Sequence, residues 1–161
     1  MTRAPSTKRI EATEATEAPN LSFDDLDELL GFRLRQANVA MYRDFSAALA
    51  PLEVTQKQTA TLWLINANAG VSQASLAATL GTDRATLMGL IDRLEGRGFV
   101  IRKRSTSDRR RQRLYLTPAG QSALNKIKGL IAKHERRFTS RFTPAELSAL
   151  LAALQKLSGE A

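Results

Sequence analysis

The chain has 161 residues, of which 24 are Lys or Arg and 16 are Asp or Glu, so its formal net charge is +8 at pH 7. It has no cysteine and one histidine, which excludes disulfides, thiolate zinc sites, thiol-based redox sensing and any histidine-rich metal cluster. The composition fits a globular protein with a polyanionic partner, and ten of the basic residues fall between positions 83 and 120.

The N-terminal segment predicts neither a membrane anchor nor a folded unit. Residues 1–21 are polar and repetitive, with a Glu-Ala-Thr tract, and cannot bury enough apolar surface to order themselves. No apolar run approaches the roughly 20 residues of a membrane span, and no stretch resembles a signal peptide. We therefore expect a disordered tail over residues 1–21 and a cytoplasmic protein without membrane contact.

Helical periodicity begins after this tail. From Ser22, a potential cap, apolar residues recur at helical spacing as far as Leu49 and stop before Pro51. A second helix opens at Thr55, with Gln58 in the capping-box position. The sequence therefore predicts two consecutive helices joined near the proline.

A short two-helix unit follows. Ser72 caps a third helix, Gly81 ends it where a left-handed residue is wanted, and Asp83 caps a fourth helix. Two short helices joined by a tight turn are typical of a helix-turn-helix.

A basic hairpin comes directly after the fourth helix. Strand-like residues 99–102 and 113–116 flank the loop 105–111. The order of helix, turn, helix and two-stranded wing predicts a winged helix-turn-helix over residues 51–117, with one helix in the major groove of DNA.

Two further amphipathic helices complete the chain. The fifth carries His134, which we expect at a dimer interface, and Thr143 with Glu146 form a capping box for the sixth. Thin apolar stripes on the outer helices predict a helical dimerisation lobe from residues 22–50 and 118–158, although the stripes could instead pack within one chain. The predicted fold class is all-α with a small β-wing, a winged helix-turn-helix plus a helical dimerisation lobe.

The fourth helix and the wing carry the side chains expected to contact DNA. Small residues let the helix backbone approach the bases, and polar residues near its start can reach base edges or phosphates. Arg93 could instead pair with Asp92 or Glu95. In the wing, an acidic residue can hold the turn while a neighbouring arginine enters a narrow minor groove. The predicted DNA-binding residues are Ser72, Arg84, Ala85, Thr86, Gly89, Arg93, Asp108, Arg109, Arg110 and Arg111.

Two motifs in this region resemble the MarR family of bacterial transcriptional regulators. One is Asp-Arg-Leu-Glu-x-x-Gly beginning at Asp92, and the other is Asp-x-Arg followed by Leu-Thr-x-x-Gly, beginning at Asp108. Together they are more specific than either alone. The resemblance covers residues 22–158 in element order and is most specific over 71–120.

The resemblance implies a homodimer on pseudo-palindromic double-stranded DNA, with Asp108 as the structural acid of the wing and Arg110 as its minor-groove arginine. It also implies a repressor released by a small aromatic or anionic effector, either a carboxylate or an acyl-CoA thioester. Arg33 lies where family members that bind aromatic carboxylates carry a cleft-facing arginine, and a guanidinium can hold a carboxylate through two hydrogen bonds. Met41 and Trp63 would supply apolar walls.

Other interpretations compete with this one. No nucleophile–base pair, phosphate loop or metal cluster is apparent, so we expect no enzyme, no catalytic or metal site and no cofactor. An architectural protein would bind DNA without sequence preference or effector control. A pure dimerisation module would leave the basic wing unexplained. For the ligand residues, Met41 and Trp63 could be plain core, and an acid from residues 24–28 could pair with Arg33.

Overall fold

The computed structural model describes residues 21–104 and 112–159. The helices are α1 (Leu30–Leu49), α2 (Gln56–Ala67), α3 (Gln73–Thr79), α4 (Arg84–Gly96), α5 (Pro118–Thr139) and α6 (Pro144–Ser158), and the strands are β1 (Val100–Arg104) and β2 (Gln112–Leu116). The two strands form an antiparallel sheet. The described ranges therefore confirm the predicted class, all-α with a small β-wing.

Side-chain caps set where five helices begin. In each case the capping oxygen accepts the backbone N–H three residues further on, which satisfies one of the unpaired donors of the first turn. The capping residues are Thr55, Ser72, Asp83, Thr117 and Thr143. Gly81 follows the end of α3 with φ +58°, the left-handed conformation that the sequence predicted there.

The start of α1 differs from the prediction. A 3-10 turn over Asp24–Glu28 and an extended Leu29 (φ −74°, ψ 124°) come first, so α1 begins at Leu30 rather than after Ser22. The Ser22 hydroxyl accepts the N–H of Asp24 at 3.3 Å and so supports this turn instead. Aspartate is a weak helix former because its carboxylate competes for backbone donors, so the acidic run does not extend the helix.

The core joins the end of α1 to α2, α3, α4, the wing and α5. Burial of this apolar surface is the main favourable contribution to folding. The cluster of buried apolar side chains comprises Leu49, Val54, Leu62, Ile65, Leu76, Ala77, Leu87, Ile91, Leu94, Val100, Leu114, Leu124 and Ile127.

His134 on α5 is buried inside the protomer, with 2% of its surface exposed. Its Nδ1 lies 2.6 Å from Oδ2 of Asp44, and its ring packs edge-on against Phe45 and Phe138. Arg137 donates to the other oxygen of Asp44. His134 thus joins α1 to α5 within one protomer. The sequence-based expectation that His134 lies at a dimer interface was therefore wrong.

α6 carries an uncovered apolar stripe. The capping box of Thr143 and Glu146 fixes its start, yet α6 has no buried residue. An isolated helix of this length is marginal in water, so a second surface must cover the stripe for α6 to be stable. The exposed leucines, from 39% to 55% accessible, are Leu150, Leu151, Leu154 and Leu157.

The chain divides into two units, residues 1–35 and 36–161. In the first, the rings of Phe23 and Phe32 lie 5.3 Å apart. This division does not test the predicted domain boundaries after residues 21, 50 and 117, which stay predictions. Across 21–104 and 112–159, no helix is both long enough and apolar enough to span a bilayer.

Candidate nucleic-acid interface

α4 turns its apolar side inward and its predicted DNA-contacting side outward. Leu87, Ile91 and Leu94 are fully buried, so the helix is fixed in rotation about its own axis. The exposed residues of α4 include Arg84, Ala85, Thr86, Met88, Gly89 and Arg93. Small and basic side chains predominate on this side of the helix, and both kinds favour close approach to a nucleic acid.

A groove of about 360 Å³ lies between the start of α2 and the exposed side of α4. Four predicted DNA-binding residues line it, namely Ala85, Thr86, Gly89 and Arg93. Lys57, in the first turn of α2, lines its other side and was not predicted. The sequence feature that could have indicated Lys57 is its position between the two residues of a capping box. There its positive charge lies in the first turn of a helix, beside backbone N–H groups that have no partner within the helix. The structure therefore extends the basic surface from α4 to α2.

Asp83 fixes the first turn of α4. Its Oδ1 accepts the N–H of Thr86 at 2.8 Å, and its Oδ2 accepts the hydroxyl of Thr86 at 2.6 Å. The hydroxyl of Thr86, followed by its N–H, holds the pKa of Asp83 below its usual value. Because the hydroxyl proton of Thr86 is donated to Asp83, the hydroxyl oxygen is left only as an acceptor toward any other partner.

We expect the carboxyl of Asp83 to titrate below an ordinary aspartate and the cap to weaken only in acid. Its lowered pKa means that the cap stabilises α4 above the usual pKa of Asp and is lost as pH falls through the folded-state pKa. NMR titration of the Asp83 carboxyl carbon and the Thr86 amide measures both effects. Thr86→Val should bring the pKa of Asp83 closer to normal, since it removes the largest cause, and an unchanged pKa in that variant would contradict the assignment.

Two arginines between α4 and the end of β2 donate their hydrogen bonds to backbone carbonyls of the protein. The guanidinium of Arg97 donates to the carbonyls of Glu53 and Leu52 at 2.8 and 2.9 Å. Arg113 on β2 donates to the carbonyl of Gly70 at 3.2 Å. These hydrogen bonds connect the wing and the turn before it to segments that precede α3 in the chain.

Arg102 on β1 is also committed within the protein. Its guanidinium pairs with Asp92, at 2.5 Å, and with Glu95. These are the two carboxylates that the sequence offered as alternative partners for Arg93. Arg93 instead lines the groove beside α2.

The wing itself is a short antiparallel ladder from the pair Val100 and Leu116 to the pair Arg104 and Gln112. Lys103 Nζ lies 5.3 Å from the centroid of the Tyr115 ring. The predicted wing residues Asp108, Arg109, Arg110 and Arg111 lie outside the described residues, so their contacts stay predictions. The remaining predicted residue, Ser72, lies at the start of α3, where its Oγ accepts the N–H of Ser75 at 3.0 Å.

The residues predicted to bind an effector lie on two helices. Arg33 on α1 pairs with Asp27 at 3.1 Å, the acidic run supplying its partner. Met41 is half-buried on α1, whereas Trp63 on α2 is 40% exposed and so is not plain core. Lys128 Nζ lies 4.8 Å from the centroid of its ring, a cation–π contact. A common pocket for Arg33, Met41 and Trp63 stays a prediction.

A capped helix with a small, basic outer side, beside a basic antiparallel wing, defines a winged helix-turn-helix DNA-binding protein. The MarR family matches residues 54–111 of the chain. A putative transcriptional regulatory protein for the hcr operon of Thauera aromatica is 34% identical over 129 residues, which make up 80% of this chain and 78% of that protein. The chain belongs to the MarR family.

Solved structures agree with this assignment. The transcriptional repressor CouR bound to a 23-mer DNA duplex is 39% identical with a TM-score of 0.82, covering 86% of this chain and 98% of that one. CouR bound to p-coumaroyl-CoA is 36% identical with a TM-score of 0.79, covering 88% of this chain and 99% of that one.

Proposed function

We propose that this chain is a sequence-specific transcriptional repressor that binds DNA as a homodimer and is released by a small aromatic or anionic effector. The observation that carries the proposal is the construction of α4. Its leucines and isoleucine fix the helix in the core, and Ala85, Thr86, Gly89 and Arg93 line the basic groove outside. Such a helix presents a fixed set of side chains to base edges, which nonspecific binding does not require.

The proposed DNA complex uses the groove and the wing together. α4 enters the major groove, Lys57 and Arg84 contact phosphates, and the wing arginines reach the adjacent minor groove. The similarity to CouR, which has been seen on a DNA duplex, supports this arrangement. Two such domains in a dimer contact half-sites about 10 bp apart, centre to centre.

Dimerisation is supported by α6. Four exposed leucines on a helix with no buried residue form a surface that a second copy can cover. Apolar surfaces of this kind on a repeated helical lobe are typical of twofold interfaces.

The proposed effector is an aromatic carboxylate or its acyl-CoA thioester. The relative CouR has been seen bound to p-coumaroyl-CoA, which supports this chemical class. An exposed indole at Trp63 beside the ammonium of Lys128 offers an aromatic face and a cation. We further propose that the protein acts in the cytoplasm and by binding rather than by catalysis, as a regulator of transcription does.

The testing experiment has two stages. The purified protein first selects duplexes from a random-sequence library, and fluorescence anisotropy compares the selected duplex with a scrambled one at fixed salt. Preference for the selected duplex by about a thousandfold or more is expected of a specific regulator. p-Coumaroyl-CoA, p-coumarate and coenzyme A are then titrated as releasing ligands. Equal binding to both duplexes would establish an architectural protein, the alternative, and refute the proposal.

Arg110→Ala should weaken binding to the selected duplex by about tenfold or more, because a guanidinium in a narrow minor groove meets the strongest negative potential. The dimer, which does not involve the wing, should persist in light scattering. Arg136→Ala, which removes an equal charge from the exposed surface of α5, is the matched control. Equal affinities for Arg110→Ala and the unmodified protein would remove Arg110 from the interface.

Arg33→Ala should leave DNA binding near normal yet raise the effector concentration needed for release by about tenfold, the loss expected for a charged hydrogen bond. Anisotropy of a preformed DNA complex during titration with p-coumaroyl-CoA or p-coumarate measures the change. Arg35→Ala on the same helix is the control. An unaltered release curve for Arg33→Ala would place the effector elsewhere.

A further inference from the structure

Three charged side chains connect the wing to the recognition helix. Arg102 lies at the centre of β1, where it pairs in register with Leu114 of β2. Its two terminal nitrogens contact Asp92, at 2.5 Å, and Glu95 on α4, and its backbone N–H donates to Glu95 Oε1 at 3.3 Å. The strand is thus connected to the helix through one side chain and its own backbone.

The spacing of the two carboxylates along α4 lets both of them contact one guanidinium. Asp92 and Glu95 lie three residues apart on α4, so both project from one side of the helix toward the strand. A planar guanidinium with donors in a fixed fork restricts the orientation of two acceptors more than an ammonium would. The side chain of Arg102 is only 17% exposed, whereas those of Asp92 and Glu95 are 57% and 37% exposed.

The charge of this cluster argues against direct contact with DNA. One arginine and two carboxylates sum to a negative cluster on a domain that is otherwise basic. Negative charge beside a phosphate backbone weakens association, so these carboxylates do not serve binding by their field.

We infer that Arg102 is a positioning residue that sets the angle between β1 and α4, so that the wing and the recognition helix engage one duplex together. The inference rests on the proposed function, because it concerns how the same interface is held in shape. We call the contacts of Arg102 with Asp92 and Glu95 the clamp. Loss of the clamp should leave α4 folded in the core but let the wing take other angles. Sequence-specific binding should fall, while binding to scrambled DNA, which depends on charge alone, should not.

The decisive variant is Asp92→Asn with Glu95→Gln, which is nearly isosteric and removes two negative charges. Positioning predicts that affinity for the selected duplex falls by about tenfold, while affinity for the scrambled duplex stays equal or rises. Direct contact between Arg102 and phosphate predicts the opposite, since freeing the guanidinium and removing two carboxylates should tighten binding to both duplexes. Tighter or unchanged binding to the selected duplex would therefore overturn the inference.

Two further measurements keep the result independent of folding. Arg102→Met should lower the ratio of selected to scrambled affinity by the same factor as the carboxylate pair, although its lost positive charge also weakens binding to both duplexes. The triple variant should lower this ratio no further than either, since all three remove one clamp. Hydroxyl-radical footprinting should show lost protection at the wing contact with protection retained at the α4 contact. Equal weakening of both footprints, or additive losses in the triple variant, would refute positioning.

Lys103→Met is the control on the same strand, because it removes one positive charge without touching the clamp. It should lower affinity for the selected and scrambled duplexes by the same factor. The thermal midpoint of each variant shows whether the domain is folded. If the unmodified protein selects no duplex at all, the proposed function fails, and that outcome differs from a failure of the clamp variants alone.

Discussion

Gly120→Ala should destabilise the protein by about 3 kcal/mol or more, the upper range for an overpacked site. A Cβ at Gly120 would lie 2.0 Å from the carbonyl oxygen and 2.8 Å from the carbonyl carbon of Phe99. Both obstructing atoms belong to the backbone, so no side-chain rotation can relieve the clash. The only relief is movement of α5 away from the turn between α4 and β1.

That turn is held by several contacts at once. The N–H of Thr117 donates to the carbonyl of Phe99 at 3.0 Å, and its hydroxyl donates to the carbonyl of Gly98 at 2.5 Å. The same hydroxyl oxygen accepts the N–H of Gly120 at 3.0 Å, which caps α5. A shift large enough to admit a methyl group would break the cap and its two backbone contacts together.

Thermal and urea unfolding at one fixed protein concentration measure the effect, which corresponds to a midpoint lower by roughly 10 °C for a chain of this size. Gly129→Ala, on the same helix, is the matched control, since a Cβ there meets nothing within 4 Å. It should stabilise by about 0.5–1 kcal/mol, the helical gain of alanine over glycine. Equal stability of the two variants would mean that α5 does not approach Phe99 as closely as described.

Leu154→Asp combined with Leu157→Asp should convert the protein to monomers and weaken binding to the selected duplex by about a hundredfold or more. The two leucines are 39% and 55% exposed on α6, and no residue of this helix is buried within the protomer. Two carboxylates in a buried apolar interface would remain unpaired and disfavour association. Loss of the partner removes the second half-site contact, whose contribution through effective concentration is of this order.

Light scattering gives the oligomeric state and anisotropy gives the affinity. Ser148→Asp with Gln155→Asp introduces the same two charges on α6 at polar exposed positions and should stay dimeric with near-normal affinity. Circular dichroism should show the core helices retained in both variants, because α6 contributes nothing to the buried cluster. A dimeric Leu154→Asp and Leu157→Asp variant would show that the stripe on α6 does not hold the two copies together.

Local features of the fold could be predicted from the sequence because they depend on residues close along the chain. A cap such as Thr55 with Gln58, or Thr143 with Glu146, is complete within four residues. Gly81 ends α3 for an equally local reason. The start of α1 was predicted too early because the apolar residues keep a helical spacing through the acidic run. The backbone there forms a 3-10 turn instead of an α-helix.

The site was predicted less completely, since charge alone does not show where a cation points. Arg97 finds its acceptors 44 and 45 residues earlier in the chain, and Arg113 finds Gly70 43 residues earlier. Contacts at these separations exist only in the fold, so the sequence showed these arginines as part of a basic run without showing their acceptors. Lys57 was missed for the same reason, because its groove forms only when α2 meets α4.

The chain's single tryptophan makes the protein its own optical probe. All indole emission comes from Trp63, a residue that is 40% exposed and whose ring lies under the ammonium of Lys128. A nearby cation and access to water both alter indole emission, so any movement of α5 relative to α2 should change intensity or wavelength without an attached dye. The relative motion of these two helices can therefore be followed in the unmodified protein in real time.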